Sequence, residues 1–188
     1  VRVVSNPETP LVVYTGTQVW EGRPEIRKSR KGRVEHGPGL YFTTRLQTAQ
    51  KYAKGRGTVL RVEIDPRFLW LEDAKAPMEV LIGWVLNRSG LRKKKEIIED
   101  LLARAGRGLA PGMARVSALV NLMVHYEAIT GAHGPALAEF LASLGIGASH
   151  VRMDGGEEWV VLFDPTKVLS WRRVAPDDED LLPSVRRP

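Results

Sequence analysis

Two adjacent carboxylates, Glu157 and Glu158, stand between Gly155-Gly156 and the apolar run Trp159-Val160-Val161-Leu162-Phe163. An acid at the first position of a strand is held with little freedom. Glu158 can therefore hydrogen-bond a ribose hydroxyl and steady the positive charge that develops as a glycosidic bond breaks; it reads equally as a surface acid closing a hairpin. Strand alternation sends Glu157 to the opposite face, which argues against a close pair of the glycosidase kind. Upstream, Tyr41 follows the Gly39 turn and Tyr52 lies on the next predicted helix. Two such rings can sandwich a flat cationic ring by stacking and cation–π attraction, or can simply fill a core between strand and helix. Thr15-Gly16-Thr17 reads as a turn after a strand, with backbone groups for a planar amide and hydroxyls for a ribose, or as a plain turn. His36, in a basic loop before Gly37, is a candidate for contact with a phosphate or a leaving group, or a solvated side chain.

The elements that must position these residues follow from hydrophobic periodicity. Leu11-Val12-Val13-Tyr14 and Leu40-Tyr41-Phe42 have the composition of strands, and Thr44 to Lys54 has helical spacing through Leu46, Ala49 and Ala53, with Thr43 or Thr44 available to cap it. Thr58 to Asp65 alternates apolar and polar residues, the signature of a half-buried strand. The middle predicts helices at about 76–87, 93–105, 114–130 and 134–144, with core stripes at Ile97, Ile98, Leu101 and Leu102 and at Val116, Leu119, Val120, Met123 and Val124. Further strands are expected at 148–153 and 158–164, then an extended piece at 167–173. The β–α alternation of a doubly wound sheet fails through 76–144, so an α+β domain with segregated sheet and helices is expected. There is no Gly-x-Gly-x-x-Gly between a strand and a helix and no Gly-Lys-Ser/Thr phosphate loop.

A chain of 188 residues with 43% hydrophobic content suits one packed core, here expected over 1–175, with an acidic, proline-containing tail at 176–188. The absence of cysteine excludes a disulfide framework and a thiolate metal site, and the four histidines lack tight ligand spacing, so no metal is expected. No apolar stretch approaches the ~20 residues of a membrane helix, and a soluble protein is expected. The net charge of +6 is concentrated at Arg23, Arg27, Lys28, Arg30, Lys31 and Arg33 and at Arg92, Lys93, Lys94 and Lys95. Such fields attract nucleic acid, the phosphates of a dinucleotide or an acidic protein, or serve as a solubilising surface. The first cluster lacks the interleaved aromatics of a single-strand platform. Scarce asparagine and glutamine with plentiful arginine and proline point to a heat-tolerant source.

Tyr14-Thr15-Gly16-Thr17, Gly39-Leu40-Tyr41-Phe42-Thr43 with Ala49 and Tyr52 following, and Glu157-Glu158-Trp159-Val160-Val161 before Phe163-Asp164-Pro165 together resemble the ADP-ribosyltransferase superfamily of the diphtheria-toxin and poly(ADP-ribose) polymerase type. The chain also looks like small transferase domains of bacterial toxins and phage proteins. The likeness covers about 14–65 and 145–170 and leaves the helical block at 76–144 unexplained. It implies a split, mixed β-sheet core with NAD⁺ as substrate between the halves, and the block at 76–144 is expected to be a helical insertion into that core. The resemblance further implies Gly16 against the carboxamide, Thr15 at the ribose-binding position, Tyr41 and Tyr52 on either side of nicotinamide, and Glu158 as the catalytic glutamate. Thr15 stands where one branch of the family has histidine and another arginine. The expected activity is mono-ADP-ribosyl transfer to a protein or nucleic-acid acceptor in a cytoplasm, the chain's own or a target cell's. The alternatives are an inactive binding module of the same fold and an NAD⁺ glycohydrolase or phosphorylase. Gly156 occupies the position where relatives that modify arginine often carry a glutamate, so an arginine acceptor is not implied.

Overall fold

Alternation over the stretch after residue 57 is realised as β3 (Thr58–Ile64), whose Leu60, Val62 and Ile64 are buried while Arg61 and Glu63 pair at 2.6 Å on the other face. The structure, a computed structural model, describes residues 9–17, 22–28, 34–53 and 57–174; the acidic tail and Arg30, Lys31 and Arg33 lie outside them. β1 (Leu11–Thr17) runs antiparallel to β3 along its whole length, from Leu11 opposite Ile64 to Thr17 opposite Thr58. Thr15-Gly16-Thr17 is therefore strand and not the turn its composition suggests. A continuous ladder partner holds these residues extended despite the glycine.

The remaining strands of the large sheet are β2 (Leu40–Thr43), β4 (Leu69–Trp70), β7 (Ile146–Arg152), β8 (Glu158–Leu162) and β9 (Val168–Arg173). Their order is β4-β7-β8-β2-β1-β3-β9, with β4 and β7 parallel and the other pairs antiparallel, so the sheet is mixed. β1 and β2 share one registered pair, Tyr14 opposite Thr43, which joins a β4-β7-β8-β2 half to a β1-β3-β9 half. One apolar cluster draws on both halves: Val13, Leu60, Val62 and Ile64 from one, Phe42, Ala148, Val160 and Leu162 from the other.

α1 (Leu46–Ala53) buries Leu46, Ala49 and Ala53. At its entrance the Thr43 hydroxyl accepts the Arg45 N–H at 3.0 Å, while the Thr44 hydroxyl is drawn away to the Glu158 backbone at 3.1 Å. The helical block contains α2 (Met78–Asn87), α3 (Lys94–Arg104), α4 (Val116–His125) and α5 (His133–Ser143). Within it β5 (Lys75–Pro77) and β6 (Met113–Arg115) form a small ladder of their own. α4 ends well short of 130 because Glu127 takes φ 50°, a left-handed conformation that breaks the helix. On α3 the stripe is narrower than its sequence suggests: Ile97 and Leu101 are buried, while Leu102 is exposed. The main core joins α2–α5 to the sheet through Val161 and Phe163, with Tyr41 packed against it. The chain is thus α+β, with a mixed seven-stranded sheet and five helices among the described residues. None of these helices is long and apolar enough to cross a membrane.

Candidate functional site

Strand alternation divides the candidate residues between the two sheet faces. Tyr41 lies opposite Val161, Phe42 opposite Val160 and Thr43 opposite Trp159. Tyr41 and Val161 belong to the helix-covered core, whereas Phe42 and Val160 belong to the cluster between the sheet halves. Because side chains alternate along a strand, Thr43, Glu157 and Trp159 share the Tyr41 face, and Glu158 lies on the Phe42 face. On β1, Thr15 is opposite Leu60 and shares the face of Val13, while Gly16 shares the face of Tyr14 against α1. Thr15 and Glu158 therefore face one way; Gly16, Tyr41 and, through α1, Tyr52 face the other. Tyr41 and Glu158 thus lie on opposite faces, because Tyr41 is registered with Val161, an odd number of positions from Glu158.

Glu158 is the withdrawn member of the acidic pair. Its side chain retains 12% exposure, and its Oε1 lies 3.8 Å from the Arg152 guanidinium on the neighbouring strand. Its backbone is locked to Thr44, whose N–H it accepts at 3.0 Å and whose hydroxyl takes its own N–H at 3.1 Å. Glu157 is the tethered member. Its Oε1 accepts the Thr43 hydroxyl at 2.6 Å and the Trp159 indole N–H at 2.8 Å. Burial pushes its pKa up, but hydrogen bonds from Thr43, Trp159 and Thr48 outweigh burial, and with the charge of Arg45 hold the carboxyl below its ordinary value. Arg45 itself donates to the Gly155 carbonyl.

Above this carboxylate the aromatic rings gather. Trp159 meets Tyr52 edge-on with centroids 5.7 Å apart, and meets His36 edge-on at 6.3 Å. Tyr52 is 55% exposed, so its ring is available to a ligand and does not fill a core between strand and helix; it lies against Trp159. The Tyr41 phenol donates to the Gly37 carbonyl at 2.7 Å and accepts the His36 N–H at 3.2 Å. Burial raises its pKa to about 12, so it is a neutral hydroxyl at physiological pH and no general base. Tyr41→Phe strips both partners of the loop before β2, and a loss of about 1–2 kcal/mol is expected. The check is a urea titration, in which the midpoint should fall with no change in slope.

No family model matches this sequence, and no curated protein matches it. Among solved structures it is similar to one described as the crystal structure of an anti-CRISPR protein, at 15% identity and TM-score 0.40, covering 89% of this chain and 98% of that one. A likeness of that strength neither assigns a family nor transfers an activity.

Gly16 sets how closely α1 approaches β1. A Cβ there would stand 2.1 Å from the Ala49 carbonyl oxygen and 2.5 Å from the Ala53 nitrogen, so β1 and α1 meet backbone to backbone. Alternate residues along 15–17 turn their N–H and C=O groups away from β3 toward the β2 side, where β1 has no registered partner beyond Tyr14 among the described residues. Thr17 is placed here as a strand residue only. In the sequence Trp159 reads only as part of an apolar run and Thr43 as a candidate helix cap, and neither reading places them beside Glu157. The signal was present in the spacing: Trp159 is two residues beyond Glu157 in a strand and must share its face.

Proposed function

We infer that this chain is a mono-ADP-ribosyltransferase that moves ADP-ribose from NAD⁺ to a macromolecular acceptor and releases nicotinamide. The observation that carries the reading is the division of labour between the two adjacent acids. Glu157 already accepts from the Thr43 hydroxyl and the Trp159 indole, whereas Glu158 is withdrawn from water with Arg152 at 3.8 Å as its ion-pair partner among the described residues, on the same sheet face as Thr15. A carboxylate with unspent lone pairs in a partly dehydrated position suits the hydrogen bonding of a ribose hydroxyl and the stabilisation of an oxocarbenium-like sugar. In this reaction the bond between C1″ and the nicotinamide nitrogen breaks and its electron pair leaves with nicotinamide. An acceptor nucleophile then bonds C1″ and gives up its proton. In this reading the ligand lies at the seam between β1 and β2, where the described residues register only Tyr14 with Thr43. It meets Glu158 and Thr15 from one face and the aromatic surface of Tyr52 and Trp159 from the other, and the backbone groups of 15–17 that face β2 suit a carboxamide. Thr15 offers one short hydroxyl to the ribose.

A second reading is favoured by one specific observation. Glu158 and Tyr41 lie on opposite faces of the sheet, an arrangement that suits a module holding a nucleotide or a partner without consuming it. The deciding experiment incubates purified protein with NAD⁺ labelled in the adenylate part and a mixture of cell protein and nucleic acid. Nicotinamide release with label on a macromolecule supports the transferase. Release with no labelled macromolecule indicates a glycohydrolase or phosphorylase, and absence of release supports the binding module.

A further inference from the structure

Glu157 has a place in the site that the transfer chemistry does not use. Its one carboxylate ties Thr43 on β2 to Trp159 on its own strand, with Thr48 of α1 beside it. Trp159 is in turn perpendicular to Tyr52 at 5.7 Å and to His36 at 6.3 Å, so the ring that Glu157 holds touches both the helix and the loop before β2. Arg45 is engaged with the Gly155 carbonyl, and Thr43, at 5% exposure, is closed to water. Without the carboxylate the Trp159 N–H loses its acceptor and the indole regains rotamer freedom.

We propose that Glu157 is a positioning residue whose carboxylate clamps the Trp159 indole as the fixed wall of a subsite for a flat, cationic aromatic ring, with Tyr52 as the exposed ring beside it. The clamp also places a negative charge next to that wall, which favours a cation over a neutral ring of the same shape. Identification of the ring as the nicotinamide end of NAD⁺ rests on the function inferred above; the clamp itself does not.

The test uses the full chain with ¹⁵N-labelled tryptophan, with the Trp159 indole N–H resonance assigned by its loss in Trp159→Phe. The probe is 1-methylnicotinamide, a flat cation with no sugar. In the wild type the probe should shift the Trp159 resonance. Glu157→Ala should move that resonance even without probe and weaken probe binding about tenfold, the loss of one buried charged hydrogen bond. Glu157→Gln, which keeps an acceptor oxygen, should leave the resonance near its wild-type position and weaken binding less. A Trp159 resonance indifferent to the probe in the wild type would overturn the proposal, whatever the folding of the variants. So would a resonance unmoved in Glu157→Ala. A shifted resonance without nicotinamide release from NAD⁺ would uphold the clamp and overturn the transferase reading.

Discussion

Glu158→Gln is expected to lower nicotinamide release from NAD⁺ by about a hundred- to a thousandfold, the usual cost of removing one group aimed at charge that develops in the transition state. Glutamine keeps the shape of the side chain and can still accept one bond from a ribose hydroxyl. It lacks the negative charge that stabilises an oxocarbenium-like sugar. The loss should therefore fall on kcat, with KM for NAD⁺ little changed, since ground-state contacts survive. The fold should not register the change. Its ion-pair partner Arg152 is 58% exposed at a separation of 3.8 Å, and so open a pair contributes little to stability. Parallel measurement of release rates and thermal midpoints checks both halves of the expectation. Full release from the Glu158→Gln protein would remove Glu158 from the chemistry.

Gly16→Ala should force α1 off β1 and destabilise the chain. The added Cβ would stand 2.1 Å from the Ala49 oxygen, 2.5 Å from the Ala53 nitrogen and 2.9 Å from the Tyr52 carbonyl carbon. All three are backbone atoms of α1, so no side-chain rotation relieves the contact and the helix must withdraw from β1. Overpacking of this kind costs about 1–3 kcal/mol, or a fall in thermal midpoint of about 2–4 °C for each kcal/mol in a chain of this size. Movement of α1 also carries Tyr52 away from Trp159, now 5.7 Å distant, so ligand binding should weaken in whatever protein remains folded. Gly83→Ala is the control. Gly83 lies inside α2 with nothing within 4 Å of a Cβ, and the change should raise stability by about 0.4–1 kcal/mol through the unfolded chain and helix propensity. A Gly16→Ala midpoint equal to wild type would show that α1 is not pinned at this contact.

Long periodic segments were legible in the sequence because one face of each must be apolar for burial. The alternation of β3 and the stripes of α3 and α4 are of this kind, and their boundaries moved by a few residues at most, apart from the early end of α4 at the left-handed Glu127. Short elements were not legible. β4 has two residues, and β5 and β6 have three each with Pro77 among them, too few to show a period. The opposition of Glu157 and Glu158 also followed from the chain alone, since alternation is a local property of an extended backbone.

Which of those two acids joins the aromatic rings was decided by tertiary structure. Thr43 and Glu157 meet across 114 positions of sequence, and Tyr52 reaches Trp159 only because α1 settles on β1 at Gly16. The strand character of Thr15-Gly16-Thr17 likewise came from its partner, β3. Local composition determined which side of each element seeks the core; the pairing of β2 with β8 and the seating of α1 depend on burial shared among distant segments, and no window of sequence contains it.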